Sequence, residues 1–328
     1  MVRDKGNVLS KSRNESCIMC SNSKDRAKMK DSDGYCSLVK GKDGLPLRCV
    51  GQWGQKKVFT LAKYFRQVGV ALKEREINYI EICSGPGLCI DFRSGDEFDG
   101  SPLAILKSEE AKNYDHLFFF DHDERTLEIL RERIKRSTDI SQEVKEKTII
   151  TIGDYNEVEA IIDIIKLASP HPWLNLVFID PTDLSVPAPL LVSLTSFCQR
   201  TDFIINFVDG IDLKRNIVLA VSSESSKARV KYSNALAIGS DYFEDIETLS
   251  QAGNHDIVRL AERYADEYFK PLRDRGYEYI FETPILHYYK LYLLSRNDLG
   301  RKFWKNATAK TIEEAELSQG LLFGYQGS

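Results

Sequence analysis

The stretch YIEICSGPG, residues 79–87, runs from an apolar segment into two glycines around a proline, with Glu81 four positions before the first glycine. The apolar segment reads as a buried strand and Gly-Pro-Gly as the turn that ends it. In a doubly wound α/β sheet, ligands bind beyond the carboxyl ends of the strands, where strand order reverses. The first strand-to-helix turn there carries glycines because a Cβ would hold the ligand away. Gly85 and Gly87 supply such a turn. Glu81 is placed to accept from a ligand ammonium or to be held by backbone amides.

The rest of the chain repeats this alternation. Residues 55–75 place Val58, Leu61, Ala62, Phe65, Val68 and Leu72 at helical spacing. Apolar strands follow at 79–83, at 116–123 (HLFFFDHD), in KTIITIGDYNEV up to Gly153-Asp154, in NLVFIDPTDL up to Pro181, and in DFIINFVDG. Helical patterns separate them, and DGSPLAIL reads as a loop capped by Ser101 with Pro102 at the first helical position. Five buried strands alternating with helices predict a parallel sheet covered on both faces. The polar stretch 224–247 reads as an inserted lid or a surface excursion. A long amphipathic helix and two adjacent strands, YEYIFETPI and HYYKLYLLSR, predict a closing antiparallel hairpin. A doubly wound, mostly parallel sheet finished by such a hairpin resembles class I S-adenosylmethionine-dependent methyltransferases.

Three acids stand at the first three strand ends. Asp121 is placed to accept both hydroxyls of a ribose, and Asp154 to accept an adenine amino group. Either also suits a helix cap or turn, as Asp123 does. With their neighbours they give the candidate nucleoside set Glu81, Ser84, Gly85, Gly87, Asp121, His122, Asp154 and Tyr155; His122 also reads as an exposed turn residue. A dinucleotide fingerprint would need a third glycine where Ile90 stands, and there is no GxxxxGK[ST] loop. S-adenosylmethionine, a nucleoside without pyrophosphate, suits the turn better.

The fourth strand ends in Asp180-Pro181-Thr182-Asp183. Methyl transfer needs alignment of donor and acceptor. Asp180 is placed to orient an acceptor amine or take up a proton, helped by the carbonyl before Pro181. The pattern lacks the second proline and aromatic residue of enzymes that methylate DNA-base amines. Asp180, Pro181 and Asp183 are the candidate catalytic residues; Asp180 and Asp183 alternatively suit a metal-dependent hydrolase.

The 328 residues, 42% apolar and 29% charged, suit one α/β domain with additions. Nothing approaches a membrane span or a secretory leader, so a cytoplasmic protein is expected. Residues 1–57 hold 13 Lys and Arg against 6 Asp and Glu, whereas the remainder holds 32 against 43. A basic module on an acidic body suits a polyanion such as nucleic acid. Its thiols, Cys17, Cys20, Cys36 and Cys49, are spaced C-x2-C-x15-C-x12-C, which suits structural zinc, an iron–sulfur cluster or free thiols. Cys83, Cys89 and Cys198 read as packing residues. The division is a Cys-containing module at 1–54, an α/β domain at 55–310 with a polar insertion near 222–250, and a tail at 311–328.

The sequence also resembles the three-Cys-motif partner protein (TcmP) family over roughly residues 45–306. The likeness rests on RCVGQWGQKKVFTLAKYF, SGPG…GSPLAIL, FFFDHDERTLEIL, VFIDPTDL, IINF with LKRN, and YKLYLLS…GRKFW. Members generally carry an aromatic residue and Gly after Asp-Pro, where this chain has Thr182-Asp183. The resemblance implies a methyltransferase-like fold and a neighbouring three-Cys-motif protein as partner. Three functions follow as expectations: an S-adenosylmethionine-dependent methyltransferase acting on nucleic acid or a nucleic-acid-bound component, a non-catalytic nucleoside-binding partner subunit, or the hydrolase.

Overall fold

A computed structural model describes Cys17, Cys20 and residues 29–32, 34–286 and 288–309. The tail at 311–328 and most of the first 28 residues lie outside the described residues.

Seven strands form the main sheet: β2 (Ile77–Ile82), β5 (His116–Asp121), β6 (Thr148–Ile152), β7 (Leu174–Ile179), β8 (Thr201–Phe207), β9 (Tyr279–Ile285) and β10 (Tyr289–Ser295). Their spatial order is β6-β5-β2-β7-β8-β10-β9. The first five run parallel, and β10 runs antiparallel to both β8 and β9. In chain order this is 3-2-1-4-5-7-6, the doubly wound, Rossmann-like sheet of the class I methyltransferase type. Strand order reverses between β2 and β7, which puts the Gly-Pro-Gly turn at the switch point.

Strands β2 and β7 are buried at every residue, as a sheet covered on both faces requires. Alternate residues feed two cores. Ile80, Ile82, Val177 and Ile179 face one core with the helices Val158–Ala168 (α5), Ala188–Phe197 (α6) and Ile257–Arg273 (α10). Tyr79, Phe119 and Phe178 face the other with Gln52–Ala71 (α1) and Glu124–Arg136 (α3). Helix α1 lays Leu61, Tyr64, Phe65 and Val68 against the sheet. Helix α3 is capped by Asp123, which accepts from the amides of Arg125 and Thr126. Its last turn carries Arg133, Lys135 and Arg136, complementing the helix dipole. Among the described residues no helix is long and apolar enough to cross a membrane.

Two features depart from the sequence reading. A hairpin, β3 (Leu88–Asp91) and β4 (Glu97–Asp99), separates the glycine turn from the helix Ser101–Leu106 (α2), and β1 (Arg48–Val50) adds in parallel to β3. The polar stretch 224–247 is neither lid nor excursion. It forms Lys227–Ala235 (α8) and the approach to Ile246–Gly253 (α9), burying Tyr232, Ala235, Leu236, Tyr242 and Phe243 in the first core. Its polar residues cover the outer surface while these apolar ones face in.

Candidate functional site

The turn after β2 is held in left-handed backbone at three positions: Cys83 (φ 66°), Gly85 (φ 69°) and Gly87 (φ 85°). At Gly87 a Cβ would stand 2.8 Å from Leu130 Cδ1, so glycine is demanded there by packing. At Gly85 a Cβ would meet nothing within 4 Å, so open space lies over the turn. Cys83 bears a side chain where such backbone ordinarily selects glycine.

Asp121, at the end of β5, fastens this turn. Its Oδ2 accepts from the Gly85 amide at 3.0 Å and its Oδ1 from the Asp123 amide at 3.2 Å. His122 Nδ1 lies 3.3 Å from Asp121 Oδ1 on an exposed ring. The Ser84 amide donates to the Phe120 carbonyl, while its buried hydroxyl has no partner.

Glu81 is turned into the protein. It is fully buried, accepting from Tyr79 Oη at 2.8 Å and Ser101 Oγ at 2.5 Å. Ser101 is therefore the first residue of α2, after Gly100 at the cap, and its hydroxyl ties that helix to β2. Burial pushes the Glu81 carboxyl up to about 8 against the lowering effect of these two donors.

Glu81, Asp180 and Asn206 project to the α1 side of adjacent strands β2, β7 and β8. Glu81 pairs in register with Phe178, and Ile179 with Ile205, one residue before Asp180 and Asn206. Lys57 enters from α1 and donates to both Asp180 oxygens, at 2.5 and 2.7 Å; Asn206 Nδ2 donates to Oδ1 at 2.8 Å. Asn206 Oδ1 is buried without a partner. The Tyr289 ring lies 5.8 Å from the ammonium, and Trp53 packs on Tyr288 at 4.4 Å. Sequence reasoning placed Asp180 here but missed Lys57, Asn206 and the aromatic residues. One signal was available: Lys57 begins the α1 pattern at a position that faces the sheet.

The remaining candidates are spread along the rim. Asp154 holds its own loop, its Oδ1 accepting from the Asn156 amide and side chain at 2.8 Å each. Tyr155 Oη bonds Ser185 Oγ at 2.7 Å, and Ser185 donates to Asp183. Asp183 also lies 3.5 Å from Lys231 Nζ, which is bonded to Asp212. Pro181 is buried beside Asp180. Asp180 and Asp183 thus turn to different lysines, which does not favour a shared metal between them.

The N-terminal module packs on the outside of the turn. Arg133 of α3 donates to the Pro86 carbonyl (2.7 Å), the Asp43 carboxylate (2.7 Å) and the Pro46 carbonyl (2.6 Å). Buried Tyr35 bonds Thr126 at 2.5 Å. Cys17, Cys36 and Cys49 gather around Leu47 and Ile90, and Cys20 is buried. Yet among the described residues no three Cys, His, Asp or Glu side chains converge as a metal ligand set.

Three groups at the glycine turn suit a small nucleoside in chemistry. The uncovered face of Gly85, the unpartnered hydroxyl of Ser84 and the carboxylate of Asp121 lie at the switch point. Glu81 is committed within the protein through both oxygens, and Asp154 engages Asn156 through Oδ1.

No family model matches the chain, and no curated protein matches it. Among solved structures it is similar to a Legionella pneumophila str. Philadelphia 1 protein of the family DUF519. The identity is 8%, over 79% of this chain and 92% of that one, with a TM-score of 0.44. It is also similar to human methyltransferase-like protein 13 in complex with SAH, at 11% identity over 79% and 92% of the two chains, with a TM-score of 0.40.

Proposed function

We propose that this chain is an S-adenosylmethionine-dependent methyltransferase-like protein acting on nucleic acid or a nucleic-acid-associated substrate. One observation carries the cofactor part: an open left-handed glycine turn lies at the sheet's switch point, with its Gly85 amide clasped by Asp121. The cofactor would supply an electrophilic methyl group. Gly85, Ser84 and Asp121 are the residues that would hold its nucleoside portion. Asp180, anchored by Lys57 and Asn206, would position the acceptor. The excess of basic residues in the first 57 supports the polyanion part. Isothermal calorimetry with S-adenosylmethionine and S-adenosylhomocysteine tests the pocket, and binding of neither sinks the reading. Transfer of labelled methyl to RNA, DNA or protein extracts then identifies the acceptor.

A second reading has its own observation. Both Asp180 oxygens are already engaged by Lys57, which favours a nucleoside-binding partner subunit of a three-Cys-motif protein, in keeping with the resemblance to the TcmP family. Nucleoside binding without transfer to any extract, together with co-purification of such a protein, would select it. A structural zinc on Cys17, Cys20, Cys36 and Cys49 belongs here as a proposal supported by their spacing and by the gathering of Cys17, Cys36 and Cys49 around Leu47 and Ile90, and it requires the thiols to close on the ion. Elemental analysis of protein purified without chelator decides it.

A further inference from the structure

At the opposite ends of the strands, where β7 and β8 begin, a cleft of about 730 Å³ opens between α1, the two loops that lead into these strands, and the chain after β10. Its size is that of small-ligand sites, about 300–1,000 Å³. It lies a strand's length from the glycine turn, about 20 Å at 3.3 Å per residue. One wall is apolar, with Leu72, Phe197 and Phe303. The other carries Trp173, Arg200 and Arg296.

The charges there are unbalanced. The Arg200 guanidinium lies 4.9 Å from the Trp173 ring centre, and Arg75 stands 5.4 Å from the same ring. Arg296 leans over Tyr277 at 4.9 Å, and its Nε is buried with no hydrogen-bond partner. None of the three arginines forms an ion pair among the described residues; Arg75 and Arg200 are exposed, and Arg296 is half-buried and donates from one Nη to the Gln199 carbonyl at 3.3 Å. The carboxylate in the cleft, Asp202, is turned inward and accepts from Tyr64 Oη at 2.9 Å. Guanidinium forks match phosphate geometry, and a planar base stacks on an indole or on a guanidinium plane.

We propose that this cleft binds a nucleotide, its base stacked against the Trp173–arginine pair and its phosphate held by Arg200 and Arg296. The unit is either a free nucleotide or one residue of a single strand; the chemistry recognised is the same. The inference does not depend on the methyl-donor reading, since the two sites lie at opposite strand ends.

The test uses uridine 5′-monophosphate, whose base is not that of the cofactor, with uridine and hexauridylate as comparisons. Binding is followed by calorimetry and by quenching of tryptophan fluorescence. Uridine 5′-monophosphate is expected to bind and to quench. Uridine should bind at least tenfold more weakly, and the Arg200→Ala/Arg296→Ala protein should lose at least tenfold in affinity while keeping its circular dichroism spectrum. Trp173→Phe should abolish the quench. Asp121→Asn should leave uridine 5′-monophosphate affinity unchanged, which separates this site from the glycine turn whatever that turn binds. Hexauridylate binding at least tenfold tighter would assign a strand, and equal affinity a free nucleotide. No binding of either phosphate-bearing probe, or binding indifferent to the double arginine substitution, overturns the proposal.

Discussion

Lys57 Nζ stands 2.5 and 2.7 Å from the two oxygens of Asp180, joining the first helix of the α/β domain to the end of the fourth strand of its sheet. Both side chains are mostly buried, at 13% and 16% exposure. Removing one partner strands the other's charge, which costs about 3–5 kcal/mol for buried pairs. Asp180→Ala should therefore destabilise the fold by roughly that amount in urea unfolding. Replacing both partners, Lys57→Met with Asp180→Leu, should recover most of the loss. A double variant as unstable as the sum of the singles would show that the pair is not coupled.

The glycine turn predicts two different outcomes for one chemical change. Gly87→Ala meets Leu130 at 2.8 Å in left-handed backbone. Overpacking of about 1–3 kcal/mol adds to about 1–2 kcal/mol of backbone strain. Gly85→Ala has room and bears only the strain. It should fold, yet lose affinity for S-adenosylhomocysteine at least tenfold by calorimetry, because the new methyl group projects into the space over the turn. Equal stability losses at the two positions would count against the packing argument.

Glu81 makes stability depend on pH. Its carboxyl is pushed up to about 8 by burial, from 4.5 when unfolded. Between these values the folded chain keeps a proton that the unfolded chain has lost. Stability should fall as pH rises, by about 1.4 kcal/mol per unit, and level off above about 8. Asp202, pushed up to about 6, contributes in the same sense below that pH. The interval from 6 to 8 therefore isolates Glu81. Urea unfolding across it should show a slope in the parent protein that Glu81→Gln removes.

Arg133 is the sole side chain seen to bridge the Pro86 carbonyl and the Asp43–Pro46 loop among the described residues. Hydrogen bonds to a charged group contribute about 1.5–3 kcal/mol each. Arg133→Met should make residues 29–50 the first site of limited proteolysis, with the α/β domain still folded by circular dichroism. Unchanged cleavage would assign the docking to β1 and Tyr35 instead.

Much of the fold was legible because a strand covered on both faces reads as a near-continuous apolar run, even where a hydrogen-bonded Asn78, Glu81 or Asn206 interrupts it. Ile77–Ile82, Leu174–Ile179 and Thr201–Phe207 stand out on that ground alone, and the short gap between β9 and β10 forecasts their antiparallel pairing. The hairpin at Leu88–Asp99 was not legible: its strands are three and four residues long, with only partial burial. Strand-end positions were legible, as at Gly85, Asp121 and Asp180, which the structure places at or just beyond the ends of β2, β5 and β7. The candidate site was not legible where the decisive partner lies far off in sequence. Lys57 is 123 positions from Asp180, and Ser101 takes the Glu81 carboxylate that the motif alone would offer to a ligand. Asp154 and Asp121 look alike in sequence and both accept from the amide two positions on, but Asp121 alone is seen to reach across to the Gly85 amide.

The docking of residues 29–50 onto the glycine turn has a thermodynamic corollary. Free-energy coupling between two binding events is reciprocal. On the proposed reading, any factor by which a macromolecule gripping the N-terminal segment changes nucleoside affinity at the turn is the factor by which the nucleoside changes the grip of that macromolecule.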